Sequence, residues 1–170
     1  MSDKVLVAYA TRCGATREVA QHIGQVLAEG GTPVEVLPVG EVTDLDAYRA
    51  VILGSAIRAG RWLPEAVGFV RRHASTLGQR PVAYFVVCLT MKDDTPENRQ
   101  TVNGYLALLR QQMPEVNPLG IGLFAGALIY RRLPFVARLL AKAVKAPEGD
   151  FRNWPAVTAW ATEMRSALLS

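Results

Sequence analysis

The chain has 170 residues, of which 50% are hydrophobic and 20% charged, with a net charge of +4 at pH 7. This length suffices for one buried core, and the composition excludes a disordered or fibrous chain. We therefore expect a single domain over residues 1–170. The two cysteines, Cys13 and Cys88, match no metal-ligand spacing, so we expect reduced thiols and no metal site.

The longest apolar run, residues 119–130, ends at two arginines. It is too short to cross a bilayer, and extending it would place both arginines inside the membrane. The first residues show no basic segment followed by an apolar stretch, the pattern of a secretory leader. We expect a cytoplasmic protein that does not span the membrane.

Strand-like and helix-like patterns alternate along the chain. The strand-like runs, mostly continuous and apolar as in strands buried on both faces, are residues 4–10, 33–39, 50–55, 82–89 and 120–128. The segments with helical spacing are residues 17–29, 64–77, 100–113, 131–145 and a closing helix capped by Asn153. This alternation predicts a doubly wound α/β domain with a five-stranded parallel sheet and helices on both faces. Ligands bind such folds at the carboxyl ends of the strands.

The loop of residues 11–16 (TRCGAT) joins the first strand to the first helix. Backbone N–H groups at a helix start have no helical acceptor and lie at the positive end of the helix dipole. Gly14 lets the backbone curve around an anion, and Thr11 and Thr16 add hydroxyl donors. The loop therefore predicts a phosphate site, although neither GxGxxG nor GxxxxGK[ST] is present. The alternative is an ordinary turn with a threonine cap.

The cysteine within this loop, Cys13, stands next to the start of the predicted helix. The positive end of a helix dipole favours the thiolate, so we expect the pKa of Cys13 to be lowered.

The pattern Thr-x-x-Gly-x-Thr directly after the first strand is similar to the phosphate loop of flavodoxins. With Arg12 and Arg17 beside it, the loop more closely resembles that of the flavodoxin-type protoporphyrinogen IX dehydrogenases. The runs GSAIRAGRW (54–62), FVRRHA (69–74) and AGALIY (125–130) resemble the same family. The resemblance covers nearly the whole chain and implies a flavodoxin-like sheet with strand order 2-1-3-4-5.

The resemblance also implies FMN, with its phosphate in the 11–16 loop and its ring between the loops after the third and fourth strands. The implied cofactor-binding residues are Thr11, Arg12, Cys13, Gly14, Ala15, Thr16, Ser55, Ala56, Ile57, Arg58, Gly60, Trp62, Leu89, Thr90, Met91 and Lys92. Trp62 is a candidate to stack on the ring, or else a loop tryptophan anchored on the surface. No side chain is expected to act as a catalytic acid or base, since the flavin accepts the hydride.

Two arginines, Arg58 and Arg61, lie beside the expected ring. They are either solvated surface residues or the binding groups for substrate carboxylates, which guanidinium groups pair with in bidentate fashion. A porphyrinogen with two propionates would suit them.

Residues 131–145 combine apolar side chains with five cations and no acid, namely Arg131, Arg132, Arg138, Lys142 and Lys145. One interpretation is a helix packed on the sheet with a solvated basic face. The other is an interfacial helix that rests on anionic lipid, so that the protein is peripheral on the inner face of the cell membrane. We expect no nucleic-acid binding, because no groove-reading motif accompanies the charge.

Three functions remain open at this point. The resemblance implies an FMN enzyme that oxidises protoporphyrinogen IX in haem biosynthesis and passes electrons to a membrane quinone. The alternatives are a soluble flavodoxin-type electron carrier and a purely binding or regulatory domain. Electron-carrier flavodoxins are acidic, so a net charge of +4 counts against the second function. The insertion late in the chain is shorter than in the dehydrogenases, which leaves the substrate open.

Overall fold

A parallel β-sheet forms the centre of the computed structural model, which describes residues 2–170. The strands are β1 (Lys4–Ala10), β2 (Val34–Pro38), β3 (Tyr48–Arg58), β4 (Arg61–Trp62), β5 (Val82–Cys88), β6 (Ile121–Ala125), β7 (Ala127–Leu128) and β8 (Gly149–Asp150). The helices are α1 (Ala15–Ala28), α2 (Pro64–Leu77), α3 (Pro96–Gly104), α4 (Ala107–Gln112), α5 (Phe135–Ala143) and α6 (Trp154–Leu169). The parallel strands follow the order β2-β1-β3-β5-β6, which confirms the predicted doubly wound sheet and its order.

Helices cover both faces of the sheet because alternate residues of a strand point to opposite sides. In β1, Leu6 and Ala8 pack into an apolar cluster with side chains from α2, α3 and α4. Val5 and Val7 pack into a second cluster with side chains from α1 and α6. All of these β1 side chains are fully buried, as expected for a parallel strand covered on both faces.

The helix predicted over residues 100–113 is wrong in its bounds, because the structure contains two helices there. α3 starts earlier, since the Thr95 hydroxyl oxygen accepts a hydrogen bond from the Asn98 N–H at 3.1 Å and caps the helix. α3 ends at Gly104, a residue of low helix propensity, and Leu106 is fully buried between α3 and α4.

The third strand is longer than predicted because it continues into a tight hairpin. β4 pairs with the end of β3 in antiparallel register, with Ile57 opposite Trp62 and Arg58 opposite Arg61. The two turn residues both have positive φ angles, 53° at Ala59 and 71° at Gly60. Two consecutive positive φ angles are the mark of a type I′ turn, which matches the twist of the flanking strands.

The last predicted strand, residues 120–128, is interrupted. β6 ends at Ala125, and β7 pairs instead with β8 in a short antiparallel ribbon. This ribbon closes off residues 129–148, which we call the excursion. The predicted helix over residues 131–145 is shorter, because Pro134 starts α5 and Tyr130–Arg132 forms a separate 3₁₀ turn.

The excursion presents apolar side chains to solvent. No residue of α5 is buried, and Phe135 and Val136 are 71% and 67% exposed. Leu139 and Leu140, one helical turn further on, are also exposed. The interpretation of a helix packed on the sheet is therefore wrong. Within residues 2–170, none of the helices has both the length and the hydropathy required to cross a bilayer.

An ionic network connects α1 to the chain at both ends of the excursion. The Arg152 side chain, only 7% exposed, donates to both Asp150 carboxylate oxygens at 2.8 and 2.6 Å and to Glu18 of α1. Arg132 lies 3.5 Å from the other Glu18 oxygen. The Arg152 guanidinium also lies over the Trp154 ring at 4.8 Å. This network fixes the start of α1 to the β7–β8 ribbon.

We expect Arg152→Leu to lower the free energy of unfolding by about 2–3 kcal/mol, because it leaves Asp150 without its ion pair and Glu18 with Arg132 as its remaining partner. The exposed pair of Arg99 with Asp94 provides the matched control, and Arg99→Leu should cost less than about 1 kcal/mol. Arg152 holds the pKa of Asp150 below its usual value. The stabilisation that Asp150 gains from Arg152 is complete above the ordinary pKa of a carboxyl group. It is lost as the pH falls through the lowered pKa of Asp150. In urea unfolding, the difference in free energy of unfolding between the wild type and Arg152→Leu should therefore shrink as the pH is lowered. An equal loss of stability in Arg152→Leu and Arg99→Leu would contradict this prediction.

Candidate functional site

A cavity of about 270 Å³ lies at the carboxyl ends of β1, β3 and β5. We call it the carboxyl-end cavity. Its lining residues are Thr11, Arg12, Cys13, Ala15, Thr16, Ala56, Ile57, Arg58, Leu63, Val87, Cys88, Leu89, Gly126 and Ala127. The strand order reverses between β1 and β3, and this is where a doubly wound sheet binds its ligand.

One end of this cavity is the loop of residues 11–16. Gly14 precedes α1 with a φ of 89°, and its N–H donates to the Thr11 hydroxyl oxygen at 3.0 Å. α1 has no side-chain cap, and the N–H groups of Ala15 and Thr16 have no acceptor within residues 2–170. The Thr11 hydroxyl thus holds the turn at Gly14, and the first turn of α1 beyond it keeps free donors for an anion.

The Thr16 side chain is the polar group most deeply placed in this loop. It lines the carboxyl-end cavity although the residue is only 1% exposed. A hydroxyl at the positive end of a helix can donate to a phosphate oxygen. The position is suited to an anion whose oxygens reach the floor of the loop.

The arginine of the loop, Arg12, is held across the mouth of the site. Its guanidinium binds the Glu65 carboxylate at the start of α2 through two hydrogen bonds, of 2.5 and 2.8 Å. The pair raises the pKa of Arg12 and lowers that of Glu65. This ion pair connects the 11–16 loop to the first turn of α2.

Both cysteines line the carboxyl-end cavity. The expectation of a lowered pKa for Cys13 is wrong, because burial raises its pKa more than Arg12 lowers it. Burial also raises the pKa of Cys88, which lies at the end of β5. Both residues are therefore protonated, weakly reactive thiols near neutral pH.

The far wall of the cavity is formed by the end of β3 and by residues after β5 and β6. Ala56, Ile57 and Leu89 supply apolar surface, and Arg58 stands exposed at the rim. Arg58 forms no ion pair within the described residues 2–170. Of the residues implied by resemblance, the structure brings together Thr11, Arg12, Cys13, Ala15, Thr16, Ala56, Ile57, Arg58 and Leu89, with Gly14 in the same loop.

The expectation that Trp62 stacks on the ring, or is anchored on the surface, needs correction. Trp62 is 3% exposed and packs edge-on against Tyr84, with ring centroids 5.0 Å apart. Its pairing with Ile57 turns it toward the core, and it borders a different cavity together with Arg61.

Other implied residues also lie away from this cavity. Ser55 is fully buried, and its hydroxyl bonds to the Ala56 carbonyl and the Leu63 N–H. Met91 and Lys92 border a third cavity, beside β6. Gly60 and Thr90 do not line the carboxyl-end cavity either.

Sequence reasoning missed five residues of the cavity wall, namely Leu63, Val87, Cys88, Gly126 and Ala127. For two of them a signal was present, because the AGALIY run contains Gly126 and Ala127. The other three are ordinary core-type residues whose approach to the cavity depends on the packing of distant segments.

The cavity fits a flavin mononucleotide in its chemistry. Free N–H donors and the Thr16 hydroxyl at one end suit a phosphate, and the apolar wall at the other end suits an aromatic ring. A side chain at position 14 would strain the backbone, because Gly14 has a positive φ angle. It would contact few neighbouring atoms. The fold and site together define a flavodoxin-like FMN oxidoreductase.

Comparisons with known proteins agree with this class. Residues 6–153 match the family model described as a flavodoxin domain. The chain is 30% identical to a protoporphyrinogen IX dehydrogenase [quinone] of Leishmania major, covering 99% of this chain and 78% of that protein. It is 29% identical to the protein of that name from Escherichia coli K12, covering 92% and 88%. A flavodoxin from the domain Archaea superposes with a TM-score of 0.61 at 15% identity, covering 98% and 99%. The chain therefore belongs to the flavodoxin family.

We expect Thr16→Val to weaken FMN binding about 10- to 100-fold, the effect of losing one hydrogen bond to a charged group. Valine keeps the shape of the side chain, so the loop should stay folded. Thr43→Val, at an exposed position away from the loop, is the control. Fluorescence titration of the apoprotein with FMN gives both dissociation constants, and equal values for the two variants would remove Thr16 from the phosphate site.

Proposed function

We propose that this protein oxidises protoporphyrinogen IX, or a closely similar porphyrinogen, in haem biosynthesis, with a membrane quinone as electron acceptor. The observation that carries the proposal is the position of Arg58. It stands unpaired at the rim of a cavity that has phosphate donors at one end and an apolar wall at the other. The names of the two dehydrogenase relatives support the substrate and acceptor classes.

The residues proposed to hold FMN are those of the 11–16 loop and the opposite wall. The N–H groups of Ala15 and Thr16 and the Thr16 hydroxyl would bind the phosphate, and Ile57 and Leu89 would contact the ring. When bound, FMN would supply the redox chemistry by accepting two electrons at each turnover, and repeated two-electron turnovers, each reoxidised by the acceptor, would carry the porphyrinogen to the porphyrin. The apolar side chains keep water away from the reacting face.

Arg58 has the proposed role of orienting the substrate. Its guanidinium can pair with a propionate in two parallel hydrogen bonds, and no acid of the described residues competes for it. Arg61, the second predicted substrate arginine, lies beyond the hairpin turn and borders another cavity. In this proposal, Arg58 alone binds the substrate at the rim of the carboxyl-end cavity.

The excursion supports a place of action at the cytoplasmic surface of an anionic membrane. Its apolar side chains are exposed within the described residues 2–170, and Arg131, Lys142 and Lys145 of the same segment are exposed too. Arg138 is committed instead to backbone carbonyls within the excursion. The excursion begins two residues after Ala127, a lining residue of the carboxyl-end cavity. A lipid-soluble quinone would therefore meet the site near the membrane surface.

The test is anaerobic mixing of the FMN-loaded protein with protoporphyrinogen IX. We expect the absorbance of oxidised flavin to bleach on mixing. An excess of a menaquinone analogue should then restore the flavin absorbance and let porphyrin fluorescence rise, because formation of the porphyrin requires repeated two-electron turnovers. Arg58→Gln should raise the substrate KM at least about tenfold, because a charge-assisted pair is lost. Flavin that stays oxidised in the presence of substrate would overturn the proposal.

The second candidate, a soluble electron carrier, is favoured by the likeness to flavodoxins over the whole fold. The same experiment separates the two candidates. A carrier would be reduced only when a reductase protein is added, whereas the proposed enzyme is reduced by porphyrinogen alone. The net charge of +4 would also have to suit an acidic partner.

A further inference from the structure

A second cavity, of about 290 Å³, lies across the β3–β4 hairpin from the carboxyl-end cavity. We call it the hairpin cavity. Its wall is mainly apolar and aromatic, with Trp62, Tyr105 and Leu108 among its lining residues, and Arg61 and Arg71 at its exposed margin. Its volume is near the lower end of the range for small-molecule sites, about 300–1,000 Å³. The proposed flavin site leaves this cavity without a role.

The charge around the hairpin cavity is uncompensated. No acidic side chain lines it, and Arg61 and Arg71 form no ion pair within the described part of the chain. Arg61 also stands directly opposite Arg58 in the hairpin register, an arrangement of like charges that destabilises a strand pair. A bound anion would relieve this repulsion.

One further feature indicates a ligand with an apolar body. Leu108 is 44% exposed at the cavity, so its side chain would gain from being covered. An apolar ring compound with carboxylates matches the leucine, the aromatic wall and the arginines together.

We infer that the hairpin cavity is a second binding site, for the carboxylate-bearing edge of an apolar ring compound. Resting on the function proposed above, this ligand is the porphyrin product, whose propionates pair with Arg61 and Arg71. The cavity encloses only part of a tetrapyrrole, so the rest of the ring system projects into solvent. The site holds the product on the other side of the β3–β4 hairpin from the proposed flavin site. The carboxyl-end cavity is then free for the next substrate molecule.

Mesoporphyrin IX, a stable fluorescent dicarboxylate, is the probe. It is titrated into the FMN-loaded protein, and binding is followed by porphyrin fluorescence anisotropy. Arg71→Glu should weaken binding about tenfold or more, because a guanidinium–carboxylate pair is replaced by a repulsion. Arg72→Glu is the matched control, since Arg72 is the exposed neighbour on the same helix and does not line the cavity. It should bind as the wild type does.

A second arm uses mesoporphyrin dimethyl ester, which has the same ring but no free carboxylate. The ester should bind at least about tenfold more weakly to the wild type, and Arg71→Glu should not weaken it further. Equal effects of the Arg71 and Arg72 variants, or equal binding of acid and ester, would overturn the inference. Failure of porphyrinogen to bleach the flavin would instead remove the proposed function, and binding dependent on Arg71 would still establish the cavity as a carboxylate site.

Discussion

Gly14→Asp should yield a folded protein that is colourless after purification and binds FMN at least about 100-fold more weakly. In the proposed site the new carboxylate would repel the phosphate, and two like charges separated by about 4 Å repel by roughly 1–4 kcal/mol, depending on how far water screens them. The measurement is flavin absorbance of the purified protein, followed by titration of the apoprotein.

Gly31→Asp is the control for backbone strain. Gly31 has a φ of 86°, close to the 89° of Gly14, and nothing would touch its added side chain. A residue other than glycine in this conformation costs about 1–2 kcal/mol, so both variants should lose similar thermal stability. Only Gly14→Asp should lose FMN. If both variants kept wild-type affinity, the phosphate would have to lie outside the 11–16 loop.

Replacement of Phe135 and Leu139 together by aspartate should abolish most binding to anionic vesicles. Each side chain is more than half exposed, and the two lie one turn apart on α5. A half-buried apolar side chain contributes about 1 kcal/mol at the interface, and a charge near an anionic surface changes the energy by about as much. We therefore expect at least about 100-fold weaker binding in co-sedimentation with phosphatidylglycerol vesicles.

The matched control replaces Leu108 and Leu119 by aspartate. Both are exposed leucines outside the excursion, and the change in net charge is the same. This variant should keep most of its vesicle binding, and the wild type should bind neutral phosphatidylcholine vesicles poorly. Raised salt should weaken wild-type binding, because the exposed cations contribute through a screened interaction. Equal losses in the two double variants would show that general charge, rather than the excursion, governs binding.

The central sheet could be predicted because its signal is local. Buried parallel strands read as continuous apolar runs, and the predicted runs contain most residues of the observed strands. The strand order came from the resemblance, since no local pattern encodes which strands are neighbours. The β3–β4 hairpin escaped prediction because Ala59 occupies a turn position where Asn or Asp is the usual signal.

The candidate site was predictable where a short segment builds it. The 11–16 loop forms from consecutive residues, and the structure places all of them together. Trp62 was misplaced because its environment depends on Tyr84, a residue distant in sequence. The pKa of Cys13 was misjudged for a similar reason, since burial outweighs the nearby positive charge and burial cannot be read from the loop sequence.

The excursion is joined to the rest of the fold through a short ribbon. Its ends meet in the ribbon of β7 and β8, where Ala127 faces Asp150 and Leu128 faces Gly149. Because the ribbon closes the gap, residues 129–148 can change in length or composition while β6 and α6 keep their places. If the excursion is the membrane-facing surface, as proposed, it can therefore evolve at a different pace from the pocket for the cofactor, and one redox core would serve membranes of different lipid and quinone content.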